Sequence, residues 1–167
     1  MNRLFRTTVV ETSGVRTIAG GGTNASNAGQ ALLNLGGVSL TGDQTISGIK
    51  TFITVNESFS VLSITNQTIN FPLNSGMNFI LPLTTGITGI TFSNTPTNTF
   101  SFTLRVDYSG AHAIVWPSGF GGILWPNNTA PTLTTTVGRE DFFSFITYTS
   151  GQEFFGFTAG QNYSGIY

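Results

Sequence analysis

His112 is the only histidine of the chain and there is no cysteine, so acid–base or nucleophilic chemistry would rest on that imidazole and a few carboxylates. A Ser-His-Asp relay needs a carboxylate that orients the ring. Phe100 to Tyr108 alternates apolar and polar residues, and Ser109-Gly110 after it reads as a two-residue hairpin turn. That register sets Asp107 opposite His112, and a hydrogen-bonded surface pair is the plainer reading of it than a catalytic dyad. A metal shared by three symmetry-related His112 side chains has no H-x-H spacing behind it. Glu140 and Asp141 are adjacent, and a strand sends adjacent side chains to opposite faces. Glycosidase carboxylates must instead face one sugar from about 5 to 9 Å apart. Gly119-Phe120-Gly121-Gly122 and Gly20-Gly21-Gly22 lack the Lys-Ser/Thr of a phosphate loop. The chain is therefore expected to be non-enzymatic, with neither a cofactor nor a metal.

Aromatic rings beside Asn and Gln offer a second kind of chemistry, the stacking of sugars. Trp125, Tyr148, Tyr163 and Tyr167, with Phe120, have the character of such a contact surface for a host receptor or glycan. Burial is the commoner use of large rings. Trp116 and the Phe142, Phe143, Phe145 cluster are assigned to the core.

What must position these residues is a chain of 167 residues with 8% charged side chains and a net charge of -1. Ordinary globular chains carry about 25% charge, so long-range steering is not a theme here. Arg3, Arg6, Arg16, Lys50, Arg105 and Arg139 are scattered, without the clustered basic footprint of a nucleic-acid binder. With 15 Phe and 13% aromatics, the chain is too apolar to stay solvated. So little charge implies that another copy of the chain covers much of the surface. Residues 1–6 lack the apolar core of a signal peptide, and no apolar run is long enough to enter a membrane.

The chain reads as all-β in four parts. Residues 1–24 form an arm closed by the Gly20-Gly21-Gly22 joint. Residues 25–37 hold a short helix, capped by Ser26 or Asn27, with Ala28, Ala31, Leu32 and Leu35 on one stripe and Gly36 as the residue that ends it. Two turns of helix are unstable alone, so the stripe is expected to pack around a threefold axis. Residues 38–58 hold extended pieces separated by Gly42 and Gly48, namely Val38 to Leu40, Gln44 to Ile46 and Lys50 to Val55, each too short to hide its own apolar face. They read as an intertwined trimeric shaft, with Ile46 and Phe52 joining Ala28, Leu32 and Leu35 in the interface.

Residues 59–167 carry strands at the spacing of a β-sandwich or barrel: Phe59 to Ile64, Thr68 to Phe71, Met77 to Leu81, Ile87 to Phe92, and Phe100 to Tyr108. Leu81-Pro82 and Asn94-Thr95-Pro96 mark stops. After them, Val115-Trp116-Pro117 should end a strand, Gly119 to Gly122 should turn, and Trp125-Pro126 should stop a second short strand. Phe142 to Tyr148 and Phe154 to Phe157 are read as strands joined at Ser150-Gly151.

Two stretches carry a family resemblance. Asn34 to Phe52, N-L-G-G-V-S-L-T-G-D-Q-T-I-S-G-I-K-T-F, resembles the shaft repeat of bacteriophage tail-fibre and virion fibre proteins. Val115-Trp116-Pro117, Trp125-Pro126, Ala130-Pro131-Thr132-Leu133, Gly138, Asp141, Phe145, Gly156 and Gly160-Gln161-Asn162-Tyr163 resemble their C-terminal β-domain. Asn127-Asn128 depart from it, standing where that pattern has Gly. The resemblance implies a homotrimeric virion structural protein, made in the host cytosol and carried in the particle. Its residues 1–24 would anchor it to other virion proteins, or would add a strand pair to its own trimer. Its distal β-domain would be either structural or an adhesin for a host receptor or glycan.

Overall fold

The computed structural model describes residues 25, 27–37, 47–49, 51–119 and 121–164. The chain divides into two compact units, Met1–Phe52 and Ile53–Tyr167. The expected arm, the shaft pieces 38–40 and 44–46 with Ile46, and also Phe120 and Tyr167, lie outside the described residues.

In the first unit, α1 (Ala28–Asn34) starts where Asn27 Oδ1 accepts from the Gln30 amide at 2.9 Å. This occupies one of the donors that every helix start leaves over. At its other end Gly36 turns left-handed at φ 67°, its amide bonds to Leu33 O, and the Gly37 amide bonds to Leu32 O. This paired closure satisfies two orphan carbonyls. The helix is thus closed at both ends, yet none of its residues is buried. Of the expected interface residues, Leu32 is half-buried while Ala28, Leu35 and Phe52 are exposed.

The second unit holds β1 (Phe59–Val61), β2 (Thr68–Pro72), β3 (Asn78–Leu83), β4 (Gly89–Ser93), β5 (Phe100–Tyr108), β6 (Ile123–Leu124), β7 (Arg139–Thr147) and β8 (Phe154–Ser164). One sheet has the order β1-β3-β5-β7-β8-β6 and a second is the pair β2-β4. The all-β expectation holds, as a six-stranded mixed sheet covered by a two-stranded one. No ladder forms over residues 51–55, the described part of the last expected shaft piece, Lys50 to Val55, nor on to 58.

From β1 to β5 the chain alternates between the layers, so strands two elements apart pair in parallel: β1 with β3, β3 with β5, β2 with β4. Turn chemistry drives the alternation. Asn66 and Gln67 both take positive φ, and Thr65 and Thr68 exchange both backbone bonds across them. Asn94 turns the chain again at φ 53°; asparagine visits this region more readily than other residues bearing a Cβ.

Three expectations are corrected. The Ser109-Gly110 hairpin does not form: β7, not the residues after Gly110, runs antiparallel beside β5. Ile114 instead makes a single parallel bridge to Ile87, continuing the winding from layer to layer, so Val115-Trp116 is not a strand. Pro82 does not stop β3, which runs on to Leu83. In a parallel ladder, alternate residues aim their backbone groups to the same side. Ile80 bonds toward β1 through the Leu62 amide, so the absent N–H of Pro82 faces that side too, where β1 has already ended.

The core lies between the layers. Phe79, Leu81 and Leu83 of β3, Phe102, Leu104 and Val106 of β5, and Phe143 and Phe145 of β7 share one buried cluster with Ile69 and Phe71 of β2. Register partners stack: Phe71 on Phe92 at 5.5 Å and Phe102 on Phe145 at 4.9 Å. Each such buried ring contributes roughly 1.5–3 kcal/mol. Phe142, assigned to this core with Phe143, lies on the opposite face and meets the Tyr163 ring edge-on at 5.4 Å.

Candidate functional site

The inward parity of β7 runs Asp141, Phe143, Phe145, Thr147, so a carboxylate occupies a core position and is completely buried. It is saturated with donors. Asp141 Oδ2 accepts from Tyr108 Oη at 2.6 Å, Thr134 N at 2.9 Å and Gln161 Nε2 at 3.1 Å. Oδ1 accepts from the Thr134 hydroxyl and from Asn162 N at 2.9 Å. The backbone is shaped for this. Two β8 residues, Gln161 and Asn162, stand against Asp141 alone, because Glu140 pairs with Tyr163 while Phe142 pairs with Gly160. Asn162 turns left-handed at φ 62°, the behaviour of a bulge.

Burial alone would raise the Asp141 pKa. The hydrogen bonds from Thr134, Tyr108 and Asn162 outweigh it and hold the carboxyl below its usual range. Burial, then the hydrogen bond and charge of Asp141, push the Tyr108 phenol far above its ordinary value. A carboxylate with five donors has no lone pair left for a substrate proton. The cluster joins β5, the 129–138 segment, β7 and β8, and its work is structural.

The other sequence candidates are not gathered around it. Without the hairpin, Asp107 does not meet His112; it takes a bidentate pair with Arg105, at 2.8 Å for each contact. Glu140 and Asp141 do point to opposite faces, Asp141 inward and Glu140 beside Asp107 on the outer face. Among the described residues no three His, Cys, Asp or Glu side chains cluster as metal ligands. No helix among them is long and apolar enough to cross a membrane.

Trp125, expected at a contact surface, belongs to the core at 8% exposure. Its ring meets Trp116 at 5.3 Å and Phe145 at 5.8 Å, both edge to face, and a Cβ on Gly156 would come within 2.8 Å of it. The small residue opens the slot that the indole fills. Tyr148 and Tyr163 are exposed. After Trp125-Pro126, Asn127 and Asn128 take φ 55° and 54°. This is the left-handed region that glycine favours, so the departure from the family pattern keeps a conformation in which Gly would be at ease.

The outer face of the six-stranded sheet also carries concave surface. Two open grooves meet there at Thr103 and Ser144. One of about 640 Å³ is lined by Arg105, Glu140, Phe142 and Tyr163, and one of about 440 Å³ by Glu57, Asn78, Ile146 and Phe157. Sequence reading missed the Asp141 cluster and this face. The signal for the first was a carboxylate in phase with Phe143 and Phe145. The chain matches no protein-family model, no curated protein and no solved structure.

Proposed function

We propose that the chain is a non-enzymatic structural protein of a phage virion, a homotrimeric fibre or decoration protein attached through residues 1–24. The observation that carries this reading is α1. A helix closed by caps at both ends but burying no residue of its own leaves much of its apolar surface open among the described residues. Leu33 and Leu35 remain largely exposed. A helix of this length draws its stability from packing rather than propensity, and symmetry copies supply that packing. The motif from Asn34 to Phe52 supports the same reading, through its resemblance to a fibre shaft. The low overall charge fits surfaces destined for burial.

Native mass spectrometry of the full chain is the test. A trimer of the 17.8 kDa chain is expected at micromolar concentration, and a monomer there overturns the proposal. Leu35→Asp should weaken assembly while leaving the β-domain folded, because a carboxylate in an apolar seam is costly. The second reading, an adhesin for a host glycan or receptor, is favoured by the exposed Tyr148 and Tyr163 rings.

A further inference from the structure

The cross-strand register sorts the outer face of the six-stranded sheet into rows. One row runs Phe59, Asn78, Thr103, Ser144, Phe157; the next runs Val61, Ile80, Arg105, Phe142, Gly160. A third runs Pro82, Asp107, Glu140, Tyr163. Each row is apolar toward its margins and polar in the middle. The middle carries Arg105 and Asp107, which grip each other, with Glu140 and Glu57 beside them.

The margins are not covered. Phe59, Val61, Phe157 and Tyr163 are each about half exposed, at 62%, 59%, 48% and 51%. Aromatic side chains bury 150–250 Å² when covered, so each half-exposed ring offers on the order of 100 Å². With Val55, Met77 and Phe155, also exposed, the two margins together offer several hundred Å² on either side of the polar middle. Each margin alone stays within what monomers leave open, and only the two covered together approach the roughly 800 Å² that each side of a standard interface gives.

The segment leading into this margin behaves as a strand short of a partner. In sequence Val55, Glu57, Phe59 and Val61 alternate with smaller or polar residues. Glu57 is tied to the outer face through its bond from Asn78 Nδ2 at 2.9 Å. Yet residues 54–58 join no ladder, and β1 is a three-residue edge strand with one side unpaired among the described residues. Every other strand described is already placed in a sheet. A surface apolar at both margins and polar between can meet its own copy.

We infer that the outer face of the sheet, from the 55–61 margin to Phe157 and Tyr163, is the surface through which the β-domains of neighbouring copies pack. This rests on the homotrimer reading and names the face that the trimer uses. The grooves at Thr103 and Ser144 then lie between copies and are not free sugar sites.

The absence of cysteine makes the test clean. Phe157→Cys and Val61→Cys probe the face, and Thr91→Cys, on the exposed side of the small sheet, is the control. In the full-length assembled chain, maleimide should label the two face probes at least tenfold more slowly than Thr91→Cys. The difference should vanish on dilution to monomer. Phe157→Asp should shift the assembly midpoint to at least tenfold higher concentration with an unchanged far-ultraviolet spectrum. An oligomer whose face probes label at the control rate overturns this inference and leaves the trimer standing. A monomer at all concentrations overturns both. Saturable binding of a host-surface saccharide to the assembled chain, lost in Tyr163→Ala, would also overturn the inference, by showing the face open.

Discussion

The Tyr108 hydroxyl donates to Asp141 Oδ2 at 2.6 Å across the two central strands β5 and β7, with both side chains sealed from solvent. The register sets Asp141 directly opposite Val106, not Tyr108, so the phenol reaches diagonally to the carboxylate. Tyr108→Phe removes one donor from a charged acceptor and should cost about 1.5–3 kcal/mol. Asp141→Asn should cost more, because its amide NH2 would face groups that are themselves donors. Chemical denaturation of the two variants, compared with the parent, measures the difference; equal and negligible losses would show that the cluster holds nothing.

The same pair sets the pH limits of stability. Asp141 titrates below the ordinary carboxylate value of 3.8 in the fold. Its contribution is therefore complete above that value and is lost as pH falls through the folded pKa. Tyr108 is displaced upward from 10.0. Its contribution is complete below about pH 10 and is lost as the pH rises through the folded pKa. Melting temperature against pH should fall on both flanks. Asp141→Asn should flatten the acid flank, and Tyr108→Phe the alkaline one.

Gly156 should be intolerant of even one methyl group. An alanine Cβ would lie 2.8 Å from both Ile123 Cγ2 and the Trp125 ring, and overpacking of this kind costs typically about 1–3 kcal/mol. Since Trp125 and Trp116 are the chain's two indoles, tryptophan emission should move to the red in Gly156→Ala as the ring is displaced. Unchanged emission and stability would place Trp125 elsewhere.

The fragment Ile53–Tyr167 should fold alone. Among the described residues its buried hydrophobic cluster runs from Leu62 to Phe154, with none from before Ile53. A β-rich circular dichroism spectrum and one cooperative melt are expected; a fragment that stays unfolded at every concentration would mean that the copies complete one another's cores.

The sequence disclosed these elements unevenly, for physical reasons. Phe100 to Tyr108 announces β5 by strict alternation, and Asn27 and Gly36 announce both ends of α1, because these signals are local. Which strand lies beside β5 is not local. Ser109-Gly110 has the composition of a hairpin turn, yet β5 lies between β3 and β7, whose partners are distant in sequence. Trp125 sits in a polar loop and reads as exposed, since nothing nearby reveals the slot that Gly156 leaves for it. Asp141 could have been read: a carboxylate in phase with Phe143 and Phe145 must meet donors or remain unfolded.

The parallel winding from β1 to β5 also shapes how this protein can vary. Each rung is secured by a strand two elements away, and the turns between rungs, such as Asn66-Gln67 and Asn94, stand at the periphery of the stack. A turn can therefore lengthen or take an inserted loop where its backbone is not bonded to the next rung, as the Gln67 carbonyl is by the Thr88 and Gly89 amides. The meander of β7 and β8 has no such freedom, because its bulge must hold Gln161 and Asn162 against one carboxylate. Diversification of the β-domain is channelled to one stretch of the chain, where grafted loops would project from a stack whose rungs stay in phase.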